Sequence, residues 1–163
     1  MLKDSFPHLQ LFSDLDWDAV TREYEPTSAY VTFPEYLELK AEEGDCSPHL
    51  FEIAYFDAAL ENLESGEFFF PDSPGIYLNP SACFLSFDHD ILEMVKKAHD
   101  GEITVIERPN VLCIYMDDEG EVRFHELTTS ELELLQSVEG GNIQSDHKDL
   151  SSLSRAGLIL SIS

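Results

Sequence analysis

The chain has 163 residues, with 33 acidic against nine basic side chains and a net charge of −24. A hydrophobic share of 43%, including 11 Phe and six Tyr, separates it from a disordered acidic tail, and folding at this length buries about two-thirds of the surface. The charge excludes a phosphate-gripping role on nucleic acid and disfavours an anionic membrane, so any partner is expected to be neutral or basic. No apolar run approaches the roughly 20 residues of a spanning helix. Met1-Leu2-Lys3-Asp4 lacks the opening of a signal peptide, and Cys46, Cys83 and Cys113 form no disulfide framework, which together predict a cytoplasmic protein.

In chain order, residues 1–31 are acidic and aromatic without a clean period, and turns with one short helix are expected. Phe33-Pro34-Glu35 starts a helix that Gly44 stops. Ser47-Pro48-His49 starts another, with Leu50, Ile53, Ala54, Phe56 and Leu60 at helical spacing as far as Ser65-Gly66. The short loop between them predicts an antiparallel pair. Phe68-Phe69-Phe70 then runs into the turn cluster Pro71–Gly75. Ala82–Phe87 reads as a buried strand. Asp88 is the expected cap of a helix carrying Ile91, Leu92, Val95 and Ala98 on one face and ending at Gly101.

Three strands are expected next: Ile103–Ile106, then Val111–Met116 after a turn at Pro109-Asn110, then Val122–Leu127 after a hairpin turn at Asp117–Gly120. Thr128 and Glu131 make a capping box for a helix that ends at Gly140-Gly141. A last helix over Ser145–Arg155 is stopped by Ala156-Gly157, and Leu158-Ile159-Leu160 forms a short strand. The fold class is α+β: an acidic segment with a helical pair over residues 1–70, then an α+β domain over 71–163.

Local chemistry is sparse. Asp14, Asp16, Asp18 and Glu25 fall at calcium-loop spacing, but Ala19 stands where the sharp turn needs glycine. Cys46 and His49 are half of a zinc pattern, and none of the six histidines has a glutamate three residues before it. His89 and Glu93 lie at i and i+4, the spacing of a helical surface pair. Cys83 and Cys113 sit in apolar runs and read as small buried hydrophobes, whereas Cys46 reads as a loop thiol. No Gly-x-Ser-x-Gly, phosphate loop or dinucleotide fingerprint occurs. The chain is therefore expected to bind rather than catalyse, with no metal or cofactor of its own.

The last fifty residues carry the most specific pattern. A hairpin, the Thr128–Leu135 helix start, Gly140-Gly141, then Leu150, Leu153 and Arg155-Ala156-Gly157-Leu158-Ile159 resemble the close of a winged-helix domain, in which the final strand turns back beside the hairpin. The recognition helix of that reading, Asp146–Ser151, is too acidic for DNA. The same fold resembles the recognition elements of ribosomal peptide pathways, which add a precursor's leader peptide as a strand on the hairpin sheet. Further upstream, Phe33–Leu37, Ser47–Leu60 and Leu78-Asn79-Pro80-Ser81-Ala82-Cys83-Phe84-Leu85 resemble the small partner proteins of multinuclear non-haem iron enzymes of methanobactin-type and thiaglutamate-type biosynthesis. Asn79 stands where that family commonly shows His.

The resemblance implies a heterodimer. An iron-containing enzyme subunit would oxidise a peptide residue, often cysteine, and this chain would hold the leader. The peptide-binding residues it implies are the hairpin edge Val122, Arg123, Phe124, His125 and Glu126, with Leu150, Leu153 and Arg155 lining the adjacent groove. Each leucine taken alone also reads as plain core, and Arg123 and Arg155 as partners of local carboxylates. The free edge is either this strand or the one containing Ile114. The alternative is an acidic winged-helix adaptor or regulator that binds protein surfaces and modifies no peptide.

Overall fold

A computed structural model describes residues 1–142 and 146–163 and shows a mixed α and β chain. The helices are α1 (Pro7–Phe12), α2 (Trp17–Tyr24), α3 (Phe33–Glu42), α4 (Pro48–Ser65), α5 (Ile91–His99), α6 (Thr129–Glu139) and α7 (Leu150–Ala156). The strands are β1 (Gly75–Leu78), β2 (Cys83–His89), β3 (Glu107–Met116), β4 (Val122–Glu126) and β5 (Ile159–Ile162). Among the described residues no helix is long and apolar enough to cross a membrane.

The chain forms two compact units, each built from two separate stretches. The first is Met1–Asn62 with Phe87–Asn110, and the second is Leu63–Ser86 with Val111–Ser163. A single cut near residue 70 would assign Phe87–Asn110 to the C-terminal part, whereas that stretch belongs with the N-terminal one.

In the first unit, α3 starts where the sequence predicts. Thr32 caps it, and Glu35 at N3 reaches back to the Thr32 amide at 2.6 Å. The N-terminal stretch is more ordered than expected and contains two short helices. Pro7 opens α1, and Asp16 caps α2 by accepting the Ala19 N–H at 3.1 Å. Asp16 thus serves as a helix cap. Asp57, 2% exposed on α4, accepts the main-chain N–H groups of His8 and Leu9 at 3.1 and 3.0 Å. A long-range carboxylate therefore caps α1, which is too short to stand alone.

The strand limits also shift. Asp88 and His89 finish β2, and Asp90, not Asp88, caps α5 by accepting the Glu93 N–H. His89 is consequently not on a helix. It is buried and donates to Glu52 at 2.7 Å instead of pairing with Glu93. Ile103–Ile106 is not a strand, and β3 runs through Pro109-Asn110 without a turn. β4 reaches only to Leu112 of β3, so Pro109 lies beyond the span where β4 needs a donor. The Asn110 amide donates to the carbonyls of His89 and Arg108 and holds the strand straight past the proline.

In the second unit, Cys113 and Tyr115 of β3 pack with Leu134, Leu135 and Val138 of α6, Leu153 of α7, and Leu158 and Ile159. Thr128 and Glu131 form the expected capping box. The expected start of the last helix at Ser145 lies outside the described residues. Asp146, Lys148 and Asp149 lie in turns, and α7 begins at Leu150. Gly157 ends α7 at φ 82°, a left-handed conformation that L side chains rarely adopt. The chain then forms β5, which pairs antiparallel with β1 and not with the hairpin. Asn79 explains that departure. Only 2% exposed, it donates from Nδ2 to the carbonyls of Met116 (2.9 Å) and Gly157 (2.8 Å). Its Oδ1 accepts from the N–H and Oγ of Ser81, and its own N–H donates to Leu158 O. The residue after β1 thereby fixes the strand that follows α7.

Candidate functional site

The expected binding strand is β4, Val122–Glu126, one residue shorter than the Val122–Leu127 strand expected from the sequence. Among the described residues the strand order is β2-β3-β4, with β4 at its end, while Ile114 lies in the central strand and is fully buried. The antiparallel register pairs Leu112↔Glu126, Cys113↔His125, Ile114↔Phe124, Tyr115↔Arg123 and Met116↔Val122. Bonds flank this ladder at both ends: Leu127 N–H donates to Val111 O, and Asp117 N–H to Glu121 O, both at 2.9 Å. Bonded and non-bonded pairs alternate. Arg123 and His125 therefore turn their main-chain groups towards β3, and those of Val122 point away from it.

The hairpin turn is built on Asp117. Its Oδ1 accepts the N–H groups of Glu119 (3.0 Å) and Glu121 (2.9 Å), and Oδ2 takes Arg123 Nε at 2.6 Å. The Glu121 amide and then the Arg123 guanidinium hold the Asp117 carboxyl below its ordinary range. Arg123 thus has the local carboxylate partner that its composition suggests. His125 faces α6, with Nε2 at 2.5 Å from Glu131, a residue 8% exposed. Burial alone would raise the Glu131 carboxyl. The His125 and Thr128 bonds and the imidazole outweigh it and hold the group below the usual glutamate value.

The residues assigned to the adjacent groove separate. Leu153 is fully buried in the core, so it lines no open groove, and Leu150 is half-buried at the margin of the same core. Arg155 lies elsewhere, beside Gly157. It shares a cavity of about 370 Å³ with Tyr115, Asp117, Asp118 and Arg123, and among the described residues it has no ion-pair partner.

A larger cavity of about 680 Å³ lies between the hairpin turn and β5. Phe70, Asn79, Met116, Ile159 and Leu160 contribute to its wall. None of these is among the site residues expected from the sequence. The sequence signals near it are the Phe68-Phe69-Phe70 run and the Asn79-Pro80 step; in the structure Phe69 and Phe70 are 86% and 47% exposed.

No protein-family model matches this chain, and no curated protein is significantly similar to it.

The titratable groups elsewhere are tied into the fold. On α4, Asp57 lies 2.5 Å from His8 Nδ1, and Glu52 accepts both the Asp88 N–H at 2.6 Å and His89. His49 packs its ring 6.0 Å from that of His89, and burial, then the neighbouring His89 imidazole, lowers its basicity. Cys46 is half-buried and donates to Leu37 O, and burial raises its thiol. Cys83 is also half-buried, while Cys113 is fully buried with a thiol pushed up to about 12. Among the described residues no group of three or more His, Cys, Asp or Glu is arranged to hold a metal ion.

Proposed function

We propose that this chain is the non-catalytic partner subunit of an iron-dependent oxidative enzyme and binds the leader of a ribosomally made precursor peptide. The observation that carries the reading is the position of β4. Among the described residues it ends the strand order, and the Val122 main chain is turned outward, as strand addition by an extended peptide requires. The packing of the β3–β4 hairpin against α6 and α7 supports a winged-helix-like reading of the second unit. α7 carries one basic side chain, Arg155, so its surface suits a peptide better than a phosphate backbone. With a net charge of −24, the leader and the enzyme face are neutral to basic, and association weakens as salt rises.

The test is anaerobic co-expression with candidate iron enzymes and their precursor peptides, followed by sizing, iron analysis and mass measurement of the peptide. Stable co-purification with the iron protein, and leader binding weakened by Val122→Pro, are expected. A chain that shifts no iron partner on a sizing column and binds no leader overturns the reading.

A further inference from the structure

The second unit has another strand edge, and it opens onto the 680 Å³ cavity. β5 pairs with β1 in the register Gly75↔Ile162, Ile76↔Ser161, Tyr77↔Leu160 and Leu78↔Ile159. The Asn79 N–H donates to Leu158 O at 2.8 Å in the same register. By the alternation of antiparallel pairs, Leu160 and Ile162 direct their main-chain groups at β1, and Ile159 and Ser161 direct theirs away from it. Among the described residues β1 is the sole strand neighbour of β5 in its sheet. Among the described residues no hydrogen bond meets the outward N–H and C=O of Ile159 or Ser161.

Both residues line the cavity, with Ile159 1% exposed at its floor and Ser161 exposed at its mouth. The volume falls within the roughly 300–1,000 Å³ of ligand pockets. Unmet main-chain groups are costly to bury and strand edges are templates for pairing, so this edge is an open valence of the fold. Donors and acceptors recurring at every second residue, about 6.7 Å apart, fit the main chain of an extended polypeptide. Phe70, Met116 and Ile162 give the wall its apolar character, which suits a side chain of that segment. At the rim the Asp117 charge is offset by Arg123, and Asp118 stands beside Arg155. The −24 of the whole chain then disfavours an acidic occupant.

We infer that the outer edge of β5, with this cavity, docks an extended segment of another polypeptide, apolar at alternate positions and neutral to basic in charge. The surface is separate from β4, and the inference holds whether or not β4 takes a leader.

The probe is a synthetic hexapeptide, acetylated and amidated, with alternating valine and threonine between terminal lysines, titrated into the full isotope-labelled chain. Expected are shifts across Ile159–Ile162 and amide exchange at Ser161 slowed at least tenfold. The same peptide N-methylated at alternate residues should lose binding, a control that leaves the protein unaltered. Ser161→Pro, which removes an outward N–H and no β1 bond, should weaken binding about three- to tenfold. Absence of response at Ile159–Ile162 with millimolar peptide overturns the inference, as does equal binding of the N-methylated peptide. Protection confined to Val122 assigns the probe to β4 and also overturns it. Concentration-dependent protection of Ser161 without peptide shows a second copy on the edge and overturns it equally.

Discussion

His125 Nε2 lies 2.5 Å from the carboxylate of Glu131, joining the C-terminal end of β4 to the first turn of α6. Glu131 also completes the capping box with Thr128, so one side chain fixes both the strand and the helix. The folded state holds this carboxyl below its unfolded value of about 4.3. The stability it contributes is therefore fully present above that value and is lost as pH falls through the lower folded one. Glu131→Gln is expected to cost about 1–3 kcal/mol at pH 7. Urea midpoints at pH 7, 5 and 3.5 should show the gap to wild type closing at the acid end.

The β4 register makes a position-by-position prediction. Val122→Pro removes an outward N–H and should leave the fold within about 1 kcal/mol of wild type. Arg123→Pro removes a ladder bond and should cost about 3 kcal/mol or more. Ile114→Pro, in the buried central strand, should prevent folding of the second unit. Circular dichroism and thermal melting rank the three. An equal cost at Val122 and Arg123 would show the alternation to be assigned the wrong way round.

Asp57 is a buried carboxylate whose work is to cap a six-residue helix from a distance. Asp57→Asn is expected to release α1 and cost about 2–4 kcal/mol, because main-chain donors are left with a weaker acceptor. Faster amide exchange at His8 and Leu9, with α3 unaffected, is the local signature. His8→Ala should cost less, since the two main-chain bonds survive it.

Asn79 uses both faces of its amide, and aspartate cannot donate to the Met116 and Gly157 carbonyls. Asn79→Asp should destabilise the second unit by about 2–4 kcal/mol and loosen β5. Hydrogen exchange across residues 158–162 reports it directly.

All three thiols lie above the ordinary cysteine value through burial, Cys113 at about 12. At pH 7.5 the native protein should therefore alkylate more slowly than a free thiol at Cys46 and Cys83, and not measurably at Cys113. Mass mapping after a timed iodoacetamide pulse checks the order, and denaturant should abolish it.

What was legible in the sequence was what neighbouring residues decide among themselves. Thr32 with Glu35 and Thr128 with Glu131 fix helix starts within one turn. Gly157 fixes a helix end by its backbone, and the alternation before and after Asp117–Gly120 bounds β4. The rest depended on distant partners. α1 exists because Asp57, some fifty residues on, caps it. His89 belongs to a strand because Glu52 holds it. Pro109 passes as strand because β4 stops short of it, a fact no local window contains. In the candidate site, the strand was legible but the groove was not. Leu153 and Arg155 are two residues apart, and one helix sends the first into the core and the second to the hairpin turn.

The pairing of Gly75 with Ile162 also sets the order in which the protein is able to fold on the ribosome. β1 is made early and has no strand partner until β5 emerges, closing a loop of about 90 residues, a slow event relative to the local hairpin. Until then Ile76 and Leu78 lack their final neighbours, while the helices of residues 33–65 have already formed. The nascent chain therefore passes through a stage with a structured front and an exposed apolar strand. That interval is when the second unit is most open to aggregation or to capture by a waiting partner.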